Sequence, residues 1–287
     1  MGMVNTVGLV LHPQRDSQTA VDTIVGWAAA RNGAVLGLPE EIGRIDCSAF
    51  PVDAVTLAER SDLLVSLGGD GTMLRSMRLA DGHAAPVLGV NLGRLGFLAE
   101  IDVSDLPGAL TSIDGHRYQV EPRMALTARL PDERVVTAFN DIALVRYPGD
   151  GLTSVEVFVE GQPFVRYTAD AVIAATSTGS TAYSFSAGGP IVSPTVEGYL
   201  VIPSAAHSSF NRAIMLPADE GVALDLLPNS GEVAVEVDGV VAARLKAGAR
   251  IEITARRAAA QVVRFGDTTF YERARRKLRV TGSAEAY

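Results

Sequence analysis

The stretch LLVSLGGDGTMLR, residues 63–75, places a carboxylate inside a glycine-rich loop. An apolar run typical of a buried strand leads into Gly68 and Gly69, and a helical pattern follows. Glycines at the end of a strand let backbone N–H groups approach an anion, and the N-terminus of the next helix favours negative charge. The loop therefore has the form of a phosphate site, with Gly68, Gly69 and Thr72 as candidate phosphate-loop residues.

Asp70 is the unusual residue of this loop, because a carboxylate beside bound phosphate repels it. Such a carboxylate is useful where it binds Mg²⁺ or takes the proton from an attacking hydroxyl group, and both roles suit phosphoryl transfer. General-base assistance of this kind is worth roughly 10²–10⁴-fold in rate. The competing interpretation is an aspartate that caps the following helix. The residue types alone leave both interpretations open.

Two further segments suit a nucleotide ligand. A second glycine turn, NLGRLGF (91–97), follows the next apolar strand, and ligands of open α/β sheets bind beyond the carboxyl ends of the strands. Arg75, one turn into the helix after Asp70, is either a phosphate ligand or an exposed helical arginine. The segment TSTGSTAYSFSAGGPI (176–191) is rich in hydroxyl groups and small residues, which favours a packed loop over a linker. Its Tyr183 offers a ring that can stack on a base.

The elements that must position these residues change character near residue 115. Before it, apolar strands at 7–11, 63–67 and 86–90 alternate with helical patterns at 17–31 and 72–80, which predicts a parallel sheet covered on both faces. After it, alternating apolar and polar residues flank Glu160-Gly161 and Asp238-Gly239, which predicts antiparallel hairpins. The expected fold class is an α/β N-terminal domain with a Rossmann-like parallel sheet, followed by a β-rich C-terminal domain.

Composition excludes several classes of function. The 287 residues are 47% apolar and 20% charged, as in an ordinary globular protein, and no apolar run is long enough to span a bilayer. A formal net charge of −8 argues against general binding to nucleic acids or anionic membranes. Cys47 is the only cysteine, which excludes internal disulfides and indicates the cytoplasm. The four histidines lack metal-ligand spacing, and the basic run ERARRKLR (272–279) is interpreted as a solvated face.

In their order along the chain, these segments resemble the NAD kinase family, the ATP- or polyphosphate-dependent enzymes that make NADP. The resemblance covers nearly the whole chain and rests on GGDGTMLR, VLGVNLGRLGFLAEI, PRMAL, FNDIALVR, TADAVIAATSTGSTAYSFSAGGPIVSP, PSAAHSSFNRAIMLP and EVDG. It implies a NAD kinase/diacylglycerol kinase-like fold. The implied α/β domain comprises residues 1–112 joined by the C-terminal tail 267–287, and the β-rich dinucleotide-binding domain comprises residues 113–266.

The resemblance also implies roles for individual residues. Asp70 is expected to be the general base for the adenosine 2′-hydroxyl group, with Gly71 and Arg75 beside it. The other expected substrate-binding residues are Asn140 and Asp141 against the adenosine part, Asp170 on the nicotinamide side, and Thr181, Ala182, Tyr183 and Ser186 around the adenine and ribose. NAD and ATP or polyphosphate are the expected substrates, with Mg²⁺ or Mn²⁺ entering with the donor. A homodimer or homotetramer is the expected assembly.

Four residues depart from the family pattern near the expected acceptor pocket: Asp141 replaces Glu, Ala171 replaces Gly, and Ser177 and Ala213 replace Pro. Two alternatives therefore stay open. One is a paralogue that phosphorylates another nucleoside, nucleotide or sugar hydroxyl group, which a screen of acceptors would identify. The other is a non-catalytic sensor of NAD(H) or NADP. The retained Asp70 argues against a sensor, which needs no base in its phosphate loop.

Overall fold

The computed structural model describes residues 4–93, 96–266 and 268–279. In order along the chain, the described strands are β1 (Thr6–Leu11), β2 (Ala34–Gly37), β3 (Phe50–Pro51), β4 (Leu63–Gly68), β5 (Val87–Asn91), β6 (Ile101–Asp102), β7 (Gln119–Arg129), β8 (Val135–Ala138), β9 (Asp141–Arg146), β10 (Thr153–Val159), β11 (Gln162–Ala169), β12 (Ala171–Thr176), β13 (Gly198–Ser204), β14 (Ile214–Pro217), β15 (Val222–Leu226), β16 (Val233–Val237), β17 (Val240–Leu245) and β18 (Arg250–Arg264). The described helices are α1 (Gln18–Ala29), α2 (Pro39–Ile42), α3 (Ala54–Arg60), α4 (Asp70–Ala80), α5 (Leu106–Asp114), α6 (Tyr183–Ser186) and α7 (Phe270–Leu278).

The chain divides into two compact units. The first contains the described residues up to Pro122 and from Ala260 onward, and the second contains Arg123–Ala259. The sequence places the domain limits between residues 112 and 113 and between residues 266 and 267. These limits stay a prediction, because a division into compact units does not test which segments fold independently. Within the described residues, no helix combines the length and hydrophobicity that crossing a membrane requires.

The first unit is built on a parallel sheet in the order β3-β2-β1-β4-β5, and β6 and the end of β18 also pair with β5. Every residue of β4 is buried, as a strand covered on both faces requires. Helix α1 buries Ala20, Val21, Ile24 and Ala28, which lie on one helical face. The α/β prediction is confirmed, although α4 starts at Asp70, two residues before the start that the pattern predicts.

The second unit consists of two antiparallel sheets that share one hydrophobic core. One sheet has the order β14-β13-β12-β9-β16-β17, and the other contains β11, β10, β15 and the first part of β18. The hairpins at Glu160-Gly161 and Asp238-Gly239 form as predicted. Glu160 and Asp238 both adopt a φ of +48°, which a tight turn with a right-handed strand twist requires.

Helix α7 begins with a capping box. The Thr269 hydroxyl group accepts the Glu272 N–H at 3.2 Å, and the Glu272 carboxylate accepts the Thr269 N–H at 2.8 Å. This reciprocal pair satisfies two backbone donors at the helix start and sets where the helix begins.

A buried ion-pair cluster attaches α7 to the rest of the first unit. Glu100, whose side chain is 3% exposed, accepts hydrogen bonds from Arg264 at 2.7 Å and from Arg273 at 3.0 Å. Its second carboxylate oxygen accepts the Phe265 N–H at 2.9 Å. The Arg273 side chain is only 5% exposed, so the interpretation of residues 272–279 as a solvated face is wrong at this position. Buried arginine is tolerated here because Glu100 neutralises it.

We expect Glu100→Ala to lower the free energy of unfolding by about 3–5 kcal/mol, because two buried guanidinium groups lose their shared anion. Chemical denaturation followed by circular dichroism measures the change. The matched control is Asp132→Ala, which removes an exposed partner of Arg134 and should change the free energy of unfolding far less, because solvent screens an exposed ion pair. Equal losses in the two variants would contradict an anchoring role for Glu100.

Candidate functional site

The carboxylate of Asp70, the first residue of α4, is held by a neighbouring turn. Its Oδ2 accepts the N–H of Phe97 and its Oδ1 the N–H of Leu98, both at 3.0 Å. The Nζ of Lys277, from α7, lies 3.1 Å from Oδ2. Gly69 is the N-cap residue, and no side chain caps this helix. The interpretation of Asp70 as a helix cap is therefore wrong.

Two glycines of the site are required by close approach. A Cβ at Gly96 would overlap Oδ1 of Asp70, so glycine leaves room for the carboxylate. A Cβ at Gly68 would overlap the buried Thr72 hydroxyl group, so glycine also permits close packing between β4 and α4. This packing explains why glycine and threonine occupy positions 68 and 72 even without a ligand. The phosphate-binding role of Gly68 and Thr72 stays a prediction. The first-turn N–H groups of α4, including that of Gly71, need partners outside the helix.

A cavity of about 480 Å³ lies at the start of α4. Among the described residues, Asp70 supplies the one carboxylate of its lining, whereas Arg15, Arg75 and Arg78 supply three basic side chains. The cavity is therefore locally cationic in a chain whose formal net charge is −8. Together with the positive end of the helix dipole, these cations favour an anionic ligand.

His12, the residue after β1, positions the loop that carries Arg15. Its Nδ1 accepts the N–H groups of Gln14 and Arg15, each at 3.1 Å. Burial lowers the pKa of His12, and the nearby cations Arg15, Arg75 and Arg44 lower it further. A lowered pKa favours the neutral ring, which is the form that can accept these two hydrogen bonds.

Arg75 is held by a buried carboxylate that the sequence reasoning did not identify. Its guanidinium donates to Oε1 of Glu41 and, at 2.6 Å, to the carbonyl oxygen of Leu11. The other Glu41 oxygen accepts the Leu11 N–H at 2.6 Å, and the Glu41 side chain is 4% exposed. Arg75 thus lines the cavity in a fixed orientation. In the sequence PEEIGR, nothing separates Glu41 from an exposed helical glutamate.

Arg15 contrasts with Arg75 because no described carboxylate pairs with it. Its guanidinium approaches Gly69 and lies so close to Gly93 that a Cβ there would overlap it. Arg15 is thus a cation of the cavity without a protein anion among the described residues.

The second unit carries the other predicted residues, grouped around Tyr183. Asp141, at the start of β9, is 4% exposed, and the Tyr183 N–H is bonded to its carboxylate. Burial raises the pKa of Asp141 to about 7, and the neighbouring carboxylates of Asp238 and Glu236 contribute to the rise. Burial also raises the pKa of Tyr183, whose hydroxyl group is bonded to Ser204.

Asp238 orders the backbone before β9. Its carboxylate accepts the N–H groups of Phe139, Asn140 and Asp141 at 3.2, 2.7 and 3.3 Å. A Cβ at Gly179 would overlap the carbonyl oxygen of Asn140, so the hydroxyl-rich segment packs directly on this backbone. The sequence identifies Asp238 only as a turn residue, because its side-chain partners lie about a hundred residues away along the chain.

The remaining predicted residues differ in exposure. Asp170 forms an ion pair with Arg146, whose Nε lies 2.6 Å from its Oδ1, and Arg146 was not identified from the sequence. Thr181 and Ala182 are half-buried, and Ser186 is exposed at the end of α6. The structure therefore brings Gly68, Gly69, Asp70, Gly71, Thr72 and Arg75 together in the first unit, and the other predicted residues in the second.

Two of the four departures from the family pattern meet in one apolar cluster. Ala171 is fully buried beside Ile173 and Ile202, and Ala213 and Tyr183 pack against the same cluster. The methyl group at position 171 thus belongs to the apolar cluster against which the Tyr183 side chain packs.

Comparison with known proteins identifies the family. The family model for the ATP-NAD kinase N-terminal domain matches residues 51–118, and that for the ATP-NAD kinase C-terminal domain matches residues 139–265. NAD kinase 1 of Streptomyces avermitilis is 38% identical over 99% of this chain and 89% of its own length. The NAD kinase of Moorella thermoacetica is 35% identical over 97% and 91%. The chain belongs to the NAD kinase family.

Solved structures of NAD kinases share the fold. Yeast NADH kinase, solved in complex with NADH, superposes with a TM-score of 0.85 at 27% identity, over 98% of this chain and 89% of that one. The Archaeoglobus fulgidus NAD kinase, solved with ATP, has a TM-score of 0.73 at 24% identity, over 96% and 100%. The resemblance and the fold class inferred from the sequence are confirmed, and the roles of single site residues stay predictions.

Asp141 should make the stability of this NAD kinase family member depend on pH. A carboxyl group whose pKa rises from its ordinary 3.8 to about 7 on folding binds its proton more tightly in the folded state. The contribution of Asp141 to the free energy of unfolding therefore falls as pH rises between about 4 and 7, and is level above that.

Asp141→Asn removes this titration, and its amide oxygen can still accept the Tyr183 N–H. Relative to the wild type, we expect the variant to become more stable by about 2–3 kcal/mol on going from pH ~5 to pH ~8. Urea unfolding of both proteins at the two pH values measures the difference. Parallel pH profiles would show that Asp141 does not titrate in this range.

Proposed function

We propose that this protein transfers the terminal phosphate of ATP, or of polyphosphate, to the 2′-hydroxyl group of the adenosine ribose of NAD, giving NADP. The observation that carries the proposal is the oriented carboxylate of Asp70 at a helix start, in a cavity that three arginines also line. The matching family models are described as ATP-NAD kinase domains, which supports ATP and NAD as substrates. The yeast relative with bound NADH supports a dinucleotide acceptor.

In this function, Asp70 accepts the proton of the 2′-hydroxyl group. The ribose oxygen forms a bond to the terminal phosphorus of ATP while the bond from that phosphorus to the bridging oxygen breaks. ADP then leaves with the electron pair of the broken bond. Arg15, Arg75 and the first-turn N–H groups of α4, including that of Gly71, offset the charge of the phosphates.

The cavity fits a divalent cation that enters with the donor. Within the part of the chain that the structure describes, Asp70 is the one carboxylate that lines the cavity, and no group of three or more His, Cys, Asp or Glu side chains is placed to hold a metal ion. Mg²⁺ is commonly held by one or two carboxylates, phosphate oxygens and water. Mg²⁺ or Mn²⁺ bound in this way supplies charge neutralisation to the phosphates.

The acceptor is assigned to the predicted residues of the second unit. The half-buried ring of Tyr183 supplies a face for stacking, and the neighbouring carboxylates can accept hydrogen bonds from ribose or amide groups. The proposed acceptor-binding residues are Asn140, Asp141, Asp170, Thr181, Ala182, Tyr183 and Ser186.

The proposal includes a homodimer or homotetramer located in the cytoplasm. A single, free cysteine, Cys47, is consistent with a reducing compartment. Light scattering after size-exclusion chromatography measures the mass of the assembly.

Asp70→Asn should lower kcat for NADP formation by at least about 10²–10⁴-fold, because an amide cannot take the hydroxyl proton. The assay is ATP with Mg²⁺ and NAD, with NADH and a nucleoside panel in parallel, read by mass for an added phosphate. The control Asp105→Asn changes an exposed carboxylate outside the cavity. If Asp70→Asn still forms NADP at the wild-type rate, Asp70 is not the general base. If the wild-type protein phosphorylates another acceptor and not NAD, NAD is not the substrate.

Arg15→Ala should raise KM for ATP by about 10–100-fold and leave KM for NAD within about twofold. Loss of a hydrogen bond to a charged group costs about 1.5–3 kcal/mol, and Arg15 has no described protein anion to leave unpaired. Initial rates at varied ATP and NAD measure both constants. Arg60→Ala, which removes an arginine at the end of α3, is the control. An unchanged KM for ATP would exclude Arg15 from the donor site.

A further inference from the structure

Lysine is rare in this chain, and one of its two lysines contacts Asp70. Of 25 basic residues, only Lys246 and Lys277 are lysines, and the rest are arginines. Lys277 follows Arg275 and Arg276 within α7. An ammonium is a compact point charge on a flexible stem, whereas guanidinium is planar and broad. A lysine here therefore provides a small cation that can turn between two neighbouring anions.

The position of Lys277 is set by the buried part of α7. Arg273 donates to the Glu100 carboxylate at 3.0 Å and to the carbonyl oxygens of Ala99 and Thr268 at 3.3 and 3.0 Å. Residues four apart lie on the same face of a helix. Because Arg273 is fixed by these hydrogen bonds, Lys277 lies on the face of α7 that packs against the segment containing Ala99 and Glu100.

The segment that seats α7 also holds Asp70. Glu100 belongs to the stretch 96–100, whose Phe97 and Leu98 N–H groups bind the Asp70 carboxylate. The Lys277 Nζ lies 4.4 Å from the centre of the Phe97 ring and 3.1 Å from Asp70 Oδ2. The ammonium is thus held between an aromatic face and a carboxylate, a favourable place for a cation.

Lys277 remains accessible in this position. Its side chain is 34% exposed and that of Asp70 is 30% exposed, in contrast to the buried Arg273 below them. The described residues place no second cation within ion-pair distance of Asp70. A phosphate group that approaches Asp70 therefore meets this ammonium beside the carboxylate that would repel it.

We propose that Lys277 is a further residue of the phosphoryl-transfer site, whose ammonium binds the transferred phosphoryl oxygens beside Asp70. The proposal rests on the function proposed above. The ammonium resolves the conflict between carboxylate and phosphate, because it offsets the charge of both. It also gives the C-terminal helix a part in the reaction through direct contact with substrate.

The first test is the protection of Lys277 from an amine-reactive reagent. The protein is labelled with an acetylating N-hydroxysuccinimide ester, with and without inorganic tripolyphosphate and Mg²⁺, and acetylation at each lysine is followed by mass spectrometry. Lys246, an exposed lysine after β17, is the internal control. We expect tripolyphosphate to slow labelling of Lys277 by about tenfold, as for a cation that binds phosphate directly, and to leave Lys246 unchanged. Unchanged rates, or equal slowing at both lysines, would overturn the proposal.

The second test separates phosphate binding from a purely structural role. Lys277→Met keeps an unbranched stem that can pack on Phe97 and removes only the charge, and Lys246→Met is the matched control. We expect kcat to fall by about 10²-fold and KM for ATP to rise by about tenfold, with KM for NAD within about twofold. Lys277→Arg, with its broader head group, should restore less than about a tenth of the lost activity.

The outcomes distinguish this proposal from the function on which it rests. If wild-type protein forms no NADP, the proposed function fails, while tripolyphosphate protection still reports on Lys277. If wild-type protein forms NADP but Lys277→Met matches it in kcat and KM, Lys277 has no part in the reaction. A fall in kcat with an unchanged KM for ATP and no protection would overturn phosphate binding and indicate that Lys277 only fixes Asp70.

Discussion

The candidate site in the first unit depends on the hydrogen bonds that hold the carboxylate of Asp70. Two backbone N–H groups, from Phe97 and Leu98, bind its two oxygens, and Gly96 leaves the space that this contact requires. A carboxylate whose two oxygens each accept a backbone hydrogen bond has a defined orientation. Proton transfer requires such an orientation, because the acceptor must meet the hydroxyl group within hydrogen-bond distance.

The same short segment links this carboxylate to the C-terminal helix. Glu100 binds Arg264 and Arg273, and Arg264 also donates to the carbonyl oxygen of Leu98. A buried ion-pair cluster of this kind adds little to the net free energy of folding. Its main effect is that any arrangement that separates its charges is strongly unfavourable. The cluster therefore favours one seating of α7, and with it one position of Lys277 beside Asp70.

Charge is distributed differently in the two units. The cavity of the first unit collects arginines in an otherwise acidic protein, which suits phosphate. In the second unit, the carboxylates of Glu236, Asp141 and Asp170 lie near Tyr183, and that of Asp238 lies near Asp141. Burial among like charges raises the pKa of Asp141 because the ionised form has lost water and gained repulsion. Such a group suits a polar, uncharged part of a ligand better than a phosphate.

The sequence by itself determined the class of the fold and the identity of the family. Apolar strands that alternate with helices predict the parallel sheet, alternating strands with Asp-Gly or Glu-Gly turns predict the hairpins, and GGDGT with TGSTAYSFSAGGPI indicates the family. These features are local, since each depends on residues within one element or one turn.

Only the tertiary structure decided which partners the charged residues have. Glu41 and Arg75 are 34 positions apart in the sequence. Asp238 is about 98 positions from the backbone that it binds before β9, and Lys277 is 207 positions from Asp70. Nothing in the sequence around Glu41 or Lys277 distinguishes these two residues from solvated charges, and the sequence identifies Asp238 only as a turn residue. Their roles arise because folding brings distant charges together and removes water from between them, and this free energy depends on three-dimensional distance and burial.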